Sequence, residues 1–133
     1  MKKKYVIDAG ALALYFAGDF KVRKYFDEIL AREADAYLCE VNLAEFYYKT
    51  VEKLGEEVAD IRYESVRNSP IRQVPAAGDL TREAAKMKLE YRDKISLADA
   101  YLIALALQTR AIALTTDSVV KEILRRKCIF FKA

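Results

Sequence analysis

Ser96-Leu97-Ala98-Asp99-Ala100-Tyr101-Leu102-Ile103-Ala104-Leu105-Ala106-Leu107 is the stretch that decides the fold. Apolar side chains fall on nearly every side of the helix it predicts, which is therefore covered on most faces and sandwiched in a core. Asp99 is its only ionisable residue apart from Tyr101. C-terminal to it, Ala111 to Leu114 reads as a strand ending in Thr115-Thr116-Asp117. A helix carrying Val119, Val120, Ile123 and Leu124 follows, and Ile129-Phe130-Phe131 reads as a last strand. N-terminal to it, Asp79 opens a helix with Leu80, Ala84, Met87 and Tyr91 on one face, behind a strand at Ile71 to Val74.

The same alternation runs back to the N-terminus. Tyr5-Val6-Ile7 is a short strand closing on Asp8, and Ala11 to Ala17 is an apolar helix. Gly18-Asp19 is a break and an N-cap before an amphipathic helix with Val22, Phe26, Ile29 and Leu30. Ala36 to Cys39 is a second strand. Asn42 is placed to cap a helix that stops at Gly55, and Glu56 to Asn68 forms another. Strand and helix alternate throughout, which predicts an α/β fold: a three-layer sandwich around a mainly parallel central sheet of about five strands, in a single domain over residues 1–133.

In such a fold the strand-to-helix junctions gather outside the carboxyl ends of the strands. Four of them carry an acid: Asp8, Glu45, Asp99 and Asp117. Each has a structural explanation. Asp8 and Asp117 could cap the helices they precede, while Asn42-x-x-Glu45 and Ser96-x-x-Asp99 resemble capping boxes. Glu45 could also pair with Lys49 one turn on. Together they suggest something more. An unpaired buried carboxylate costs several kcal/mol, more than the ~1 kcal/mol a cap returns, and like charges brought together raise one another's pKa. One shared cation accounts for all four. Ligands that are all oxygen favour Mg²⁺ or Mn²⁺, and Mg²⁺ typically engages phosphates.

The 133 residues contain no histidine, which removes Ser–His and Cys–His nucleophile pairs and His-ligated zinc. Hydrophobic content of 53% with only 2 prolines and 4 glycines suits a single globular domain with a real core and short loops. Cys39 and Cys128 show no metal-ligand spacing and are expected as reduced, buried thiols. No apolar run is long enough to span a bilayer, and Met1-Lys2-Lys3-Lys4 leads into too short an apolar stretch for a signal peptide, so a soluble, cytoplasmic protein is expected. Net charge of +3 permits nucleic-acid contact without demanding it.

Asp8 after Tyr5-Val6-Ile7, Glu45 in Val41-Asn42-Leu43-Ala44-Glu45, Asp99 in Ser96-Leu97-Ala98-Asp99-Ala100 and Asp117 in Leu114-Thr115-Thr116-Asp117 resemble the ordered acids of PIN-domain ribonucleases. The short format is most similar to the VapC-type toxins of toxin–antitoxin pairs. The resemblance implies a Mg²⁺- or Mn²⁺-dependent endoribonuclease, a homodimer, and a small cognate antitoxin that occupies the active-site groove. It also implies that Asp8, Asp99 and Asp117 hold the principal ion, that Glu45 helps complete the site, and that Thr115 orients Asp117 or a water. The ion would activate water for in-line attack on the phosphodiester. Such proteins usually carry Ser or Asn two residues after the first acid. Here that position is Gly10, which would leave a water-filled gap beside Asp8.

Arg92 and Lys94, just before the Asp99 helix, are candidates for RNA phosphate contact or solvated loop charges. Tyr47 and Tyr48 could stack on bases, though helical spacing favours packing. A receiver-type signalling domain would need paired acids after the first strand and an acid ending the central strand, yet Asp8 stands alone and Ile71 to Pro75 ends without one. A haloacid-dehalogenase-type phosphatase needs Asp-x-Asp, which Asp8-Ala9-Gly10 fails. A further alternative is a PIN-like module that binds an antitoxin or RNA and hardly cleaves.

Overall fold

The computed structural model describes residues 2–133; Met1, first of the basic N-terminal run, lies outside the described residues. The elements are β1 (Lys3–Ile7), α1 (Ala9–Phe16), α2 (Phe20–Leu30), β2 (Ala34–Cys39), α3 (Glu40–Leu54), α4 (Glu56–Arg67), β3 (Arg72–Val74), α5 (Asp79–Tyr91), α6 (Leu97–Thr109), β4 (Ile112–Thr115), α7 (Ser118–Leu124) and β5 (Cys128–Phe130). The five strands form one sheet in the order β3-β2-β1-β4-β5, and every pairing is parallel. None of the helices is long and apolar enough to cross a membrane among the described residues.

Strand side chains alternate between two cores, as the period of two requires. Tyr5, Ile7, Leu38 and Leu114 pack under α1, α2, α3 and α4 with Phe26, Leu43, Phe46 and Val66. Val6 and Ala113 face the other way, onto α5, α6 and α7. Ala100 to Ala106 are all buried, as a helix without a polar face must be, and Leu102, Ile103 and Leu105 each contribute roughly 1.5–3 kcal/mol by leaving water. Three layers result. The strand at residues 72–74 is an edge of the sheet, and β1 is its centre.

β1 being central makes the chain reverse direction around it. From β1 it winds outward through β2 to β3, then returns across to β4 on the other flank. Where winding reverses, a crevice opens at the carboxyl ends of the strands. The carboxyl ends of β1 and β4 border it, with Ile7 opposite Leu114 and the Asp8 N–H donating to the Leu114 carbonyl at 3.0 Å. Helices α1, α3 and α7 follow directly on β1, β2 and β4, and α6 runs back against the strands. All four therefore begin at this edge, with the positive ends of their dipoles turned towards it.

Two sequence expectations need correction. Asn42 caps nothing: α3 begins at Glu40, Cys39 holds the cap position without a side-chain hydrogen bond, and Asn42 is buried inside the first turn. The strand β2 runs straight into the helix, so the first turn arrives three residues early. Cys39 is buried as expected but Cys128, on the edge strand β5, is only half-buried; both are free.

Candidate functional site

Asp8 is built into the fold more tightly than the other acids. Buried at the carboxyl end of β1, it caps α1 by accepting the Ala11 N–H on Oδ1 at 2.6 Å, and accepts the Thr116 N–H on Oδ2 at 3.0 Å. Burial pushes its pKa up to about 6, against the Thr115 hydroxyl and the Ala11 and Thr116 N–H groups, which pull it down. The charge of Asp99 adds to the rise.

Asp99 is half-buried in the first turn of α6. It forms the capping box with Ser96: its Oδ2 accepts the Ser96 N–H at 3.1 Å while its own N–H donates to Ser96 Oγ at 3.1 Å. Burial raises its pKa, the Ser96 backbone bond opposes that, and the carboxylates of Asp117 and Glu45 push it further up. Asp99 thus feels all three of the other acids, since Asp8 responds to it in turn.

Asp117 caps α7, its Oδ1 accepting the Val119 and Val120 N–H groups at 2.8 and 3.0 Å. Its own N–H donates to Oγ1 of Thr115, which is fully buried at the end of β4. Glu45 has no capping role, because the box expected with Asn42 does not exist; it pairs with Lys49 at 2.9 Å on the surface of α3. Capping therefore holds for three acids, and each is also electrostatically coupled to another acid. A cap engages only one oxygen of Asp99 and of Asp117, leaving Asp99 Oδ1 and Asp117 Oδ2 without a protein hydrogen bond among the described residues.

The chemistry of this donor set fits a hard divalent cation: carboxylate oxygens only, mutually repelling, on rigid helix starts. Among the described residues, however, no three acidic, histidine or cysteine side chains stand close enough to chelate an ion as they are placed. Holding one requires these side chains to draw closer together; Lys49 engages only Oε2 of Glu45, which leaves Oε1 to ligate.

Two residues join the site that the sequence did not offer. Asn42 lies one turn before Glu45 and donates from Nδ2 to the Ala98 carbonyl at 3.0 Å, tying α3 to the first turn of α6 beside Asp99. Its Oδ1 is the one buried side-chain polar atom without a partner among the described residues. A lone amide among the apolar positions of α3 was the available signal. The second is Thr116. No water-filled gap exists at Gly10, because the Thr116 side chain fills that space. Arg92 and Lys94 are exposed on a short 3₁₀ turn and make no ion pair with the four acids. Tyr47 donates to Asp60 and packs edge-on against Tyr63, which joins α3 to α4, while Tyr48 is exposed.

The family model for the PIN domain matches residues 5–125. No curated protein matches the chain. Among solved structures, VapBC2 from Rickettsia felis bound to a promoter DNA fragment is similar at TM-score 0.72 and 15% identity, over 96% of this chain and 97% of that one. VapC20 from Mycobacterium tuberculosis, described as a Sarcin-Ricin loop cleaving toxin, gives TM-score 0.72 and 17% identity over 90% and 94%. A toxin–antitoxin complex from Klebsiella pneumoniae gives TM-score 0.69 and 14% identity over 94% and 95%.

Proposed function

The chain belongs to the PIN domain family, and from that membership we propose that it is a Mg²⁺- or Mn²⁺-dependent endoribonuclease, the toxin of a toxin–antitoxin pair. The observation that carries the proposal is the placement of four carboxylates at one edge of the sheet: Asp8, Asp99 and Asp117 at the starts of α1, α6 and α7, and Glu45 near the start of α3. Asp8, Asp99 and Asp117 would hold the ion and Glu45 would complete its shell. The bound ion would supply a water activated near neutral pH and neutralise charge on the scissile phosphate.

The chain's own groups do the positioning. Backbone N–H groups of α1 and α7 fix the carboxylates of Asp8 and Asp117, and Thr115 fixes the backbone between β4 and α7. Asn42 sets the separation of α3 and α6, hence of Glu45 and Asp99. Lys49 neutralises Glu45 until the site is loaded, and the helix N-termini gathered at this edge favour a phosphate there. RNA as substrate follows the family resemblance and the cleaving toxin among its structural neighbours. The toxin–antitoxin complexes among those neighbours support a small antitoxin as partner. On this reading the protein works as a cytoplasmic homodimer.

The test is cleavage of RNA by purified protein with Mn²⁺. Cleavage that EDTA and Asp99→Asn both abolish is the expected result. Activity surviving Asp99→Asn unchanged overturns the site, and RNA or antitoxin binding without any cleavage points to a binding module.

A further inference from the structure

Gly10 occupies the second position of α1, where its backbone is ordinary right-handed helix; it is not among the glycines with positive φ. Glycine there weakens the helix by roughly 0.5–1 kcal/mol relative to alanine. Backbone conformation gives no reason for it. Space does: a Cβ on residue 10 would fall far inside van der Waals contact with Thr116 Oγ1, and 3.1 and 3.2 Å from Thr116 Cβ and Cγ2. The threonine hydroxyl sits where a residue-10 side chain would project.

That place is also where the acids meet a groove. Gly10 and Thr116 line a cavity of about 410 Å³ whose walls also include residues of α1, α3 and α4. Lys53 and Arg62 line it with Lys49, which is paired with Glu45, and no aspartate or glutamate lines it. The Thr116 N–H holds Asp8 Oδ2, which places this residue beside that carboxylate and on the groove that the basic side chains line. A group passing from the groove to the acids must be anionic to suit the cations and must accept a hydrogen bond from the hydroxyl. A phosphodiester does both.

We propose that Thr116 is a substrate-binding residue whose hydroxyl donates to a phosphate oxygen of bound RNA, and that residue 10 is glycine because this hydroxyl takes its side-chain space. The inference rests on the nuclease reading for its ligand. Thr116→Val keeps the shape and removes the donor, Thr116→Ser keeps the donor, and Gly10→Ala evicts the hydroxyl by forcing Thr116 to rotate.

The experiment measures RNA binding in the Asp99→Asn background without turnover, cleavage in the wild-type background, and urea stability for all variants. Thr116→Val is expected to weaken binding about tenfold, the scale of one hydrogen bond to a charged group, with Thr116→Ser near wild type. Gly10→Ala should match Thr116→Val, and the double variant should be no weaker than either, since both remove one interaction. In urea, Gly10→Ala should be less unfavourable in a Thr116→Ala background than in the wild type. Wild-type binding by Thr116→Val overturns the proposal while leaving the nuclease reading intact. Strictly additive Gly10 and Thr116 effects on stability overturn the steric account. Absence of RNA binding and cleavage in the wild type overturns the nuclease reading and the phosphate contact with it.

Discussion

Asp8 loses its proton in surroundings that disfavour the charge, and the free protein should register this as lost stability. Its folded pKa of about 6 lies above the ordinary 3.8, so the folded state binds the proton more tightly than the unfolded state does. That contribution is fully present below about pH 4 and is lost as the pH rises through about 6. At about 1.4 kcal/mol per pH unit, the rise from 3.8 to about 6 is worth about 3 kcal/mol for a carboxyl this deeply buried. The assay is urea unfolding in EDTA across this window, for the wild type and Asp8→Asn. Asparagine has no proton to lose, so the decline should shrink by about 3 kcal/mol in the variant. Its absolute stability is a separate matter, because an amide nitrogen facing the Thr116 N–H loses one hydrogen bond. Glu28, whose pKa is lowered by its Tyr5 bond, works in the opposite sense but does so in both proteins and cancels. Asp99 is raised like Asp8 and accounts for decline remaining in the variant. An Asp8→Asn protein that declines as steeply as the wild type refutes the reasoning. Added Mn²⁺ should restore wild-type stability above pH 6, by about 2.7 kcal/mol at a hundredfold excess over its Kd.

Two substitutions separate architecture from chemistry. Asp117→Asn keeps a good N-cap for α7 and should unfold within about 0.5 kcal/mol of wild type while losing cleavage and Mn²⁺ stabilisation; Asp117→Ala should lose these and a further ~1 kcal/mol, both read by urea titration. Asn42→Ala removes the α3–α6 tie and leaves a void, costing about 2 kcal/mol, whereas Asn42→Leu, which fills the space and removes the orphaned oxygen, should cost less; equal losses in urea would refute that account.

The fold was legible because its strongest signal is physical: a helix apolar nearly all round must be covered on most sides, and α6 is, by the sheet and by the helices packed beside it. Asp8, Asp99 and Asp117 were legible as caps for the same local reasons that shape α1, α6 and α7. Glu45 was not, because helix starts depend on how the preceding strand ends, and β2 continues into α3 at Glu40. The roles of Asn42 and Thr116 depend on contacts across the fold, from α3 to α6 and from β4 to α1. A single sequence gives only an indirect sign of each, and for Asn42 it is the lone amide on the apolar face of α3. Gly10 carried half of the second contact, visible as an unexplained helical glycine.

The central position of β1 has a consequence for synthesis. The Asp8 carboxylate takes its second backbone hydrogen bond from Thr116, 108 residues later, and the Leu114 carbonyl receives the Asp8 N–H. A nascent chain on the ribosome therefore holds its first acid exposed and its last acid unmade until β4 emerges. The first acid of the site thus waits for the last, and no fragment of the chain that stops short of residues 114–117 can assemble it.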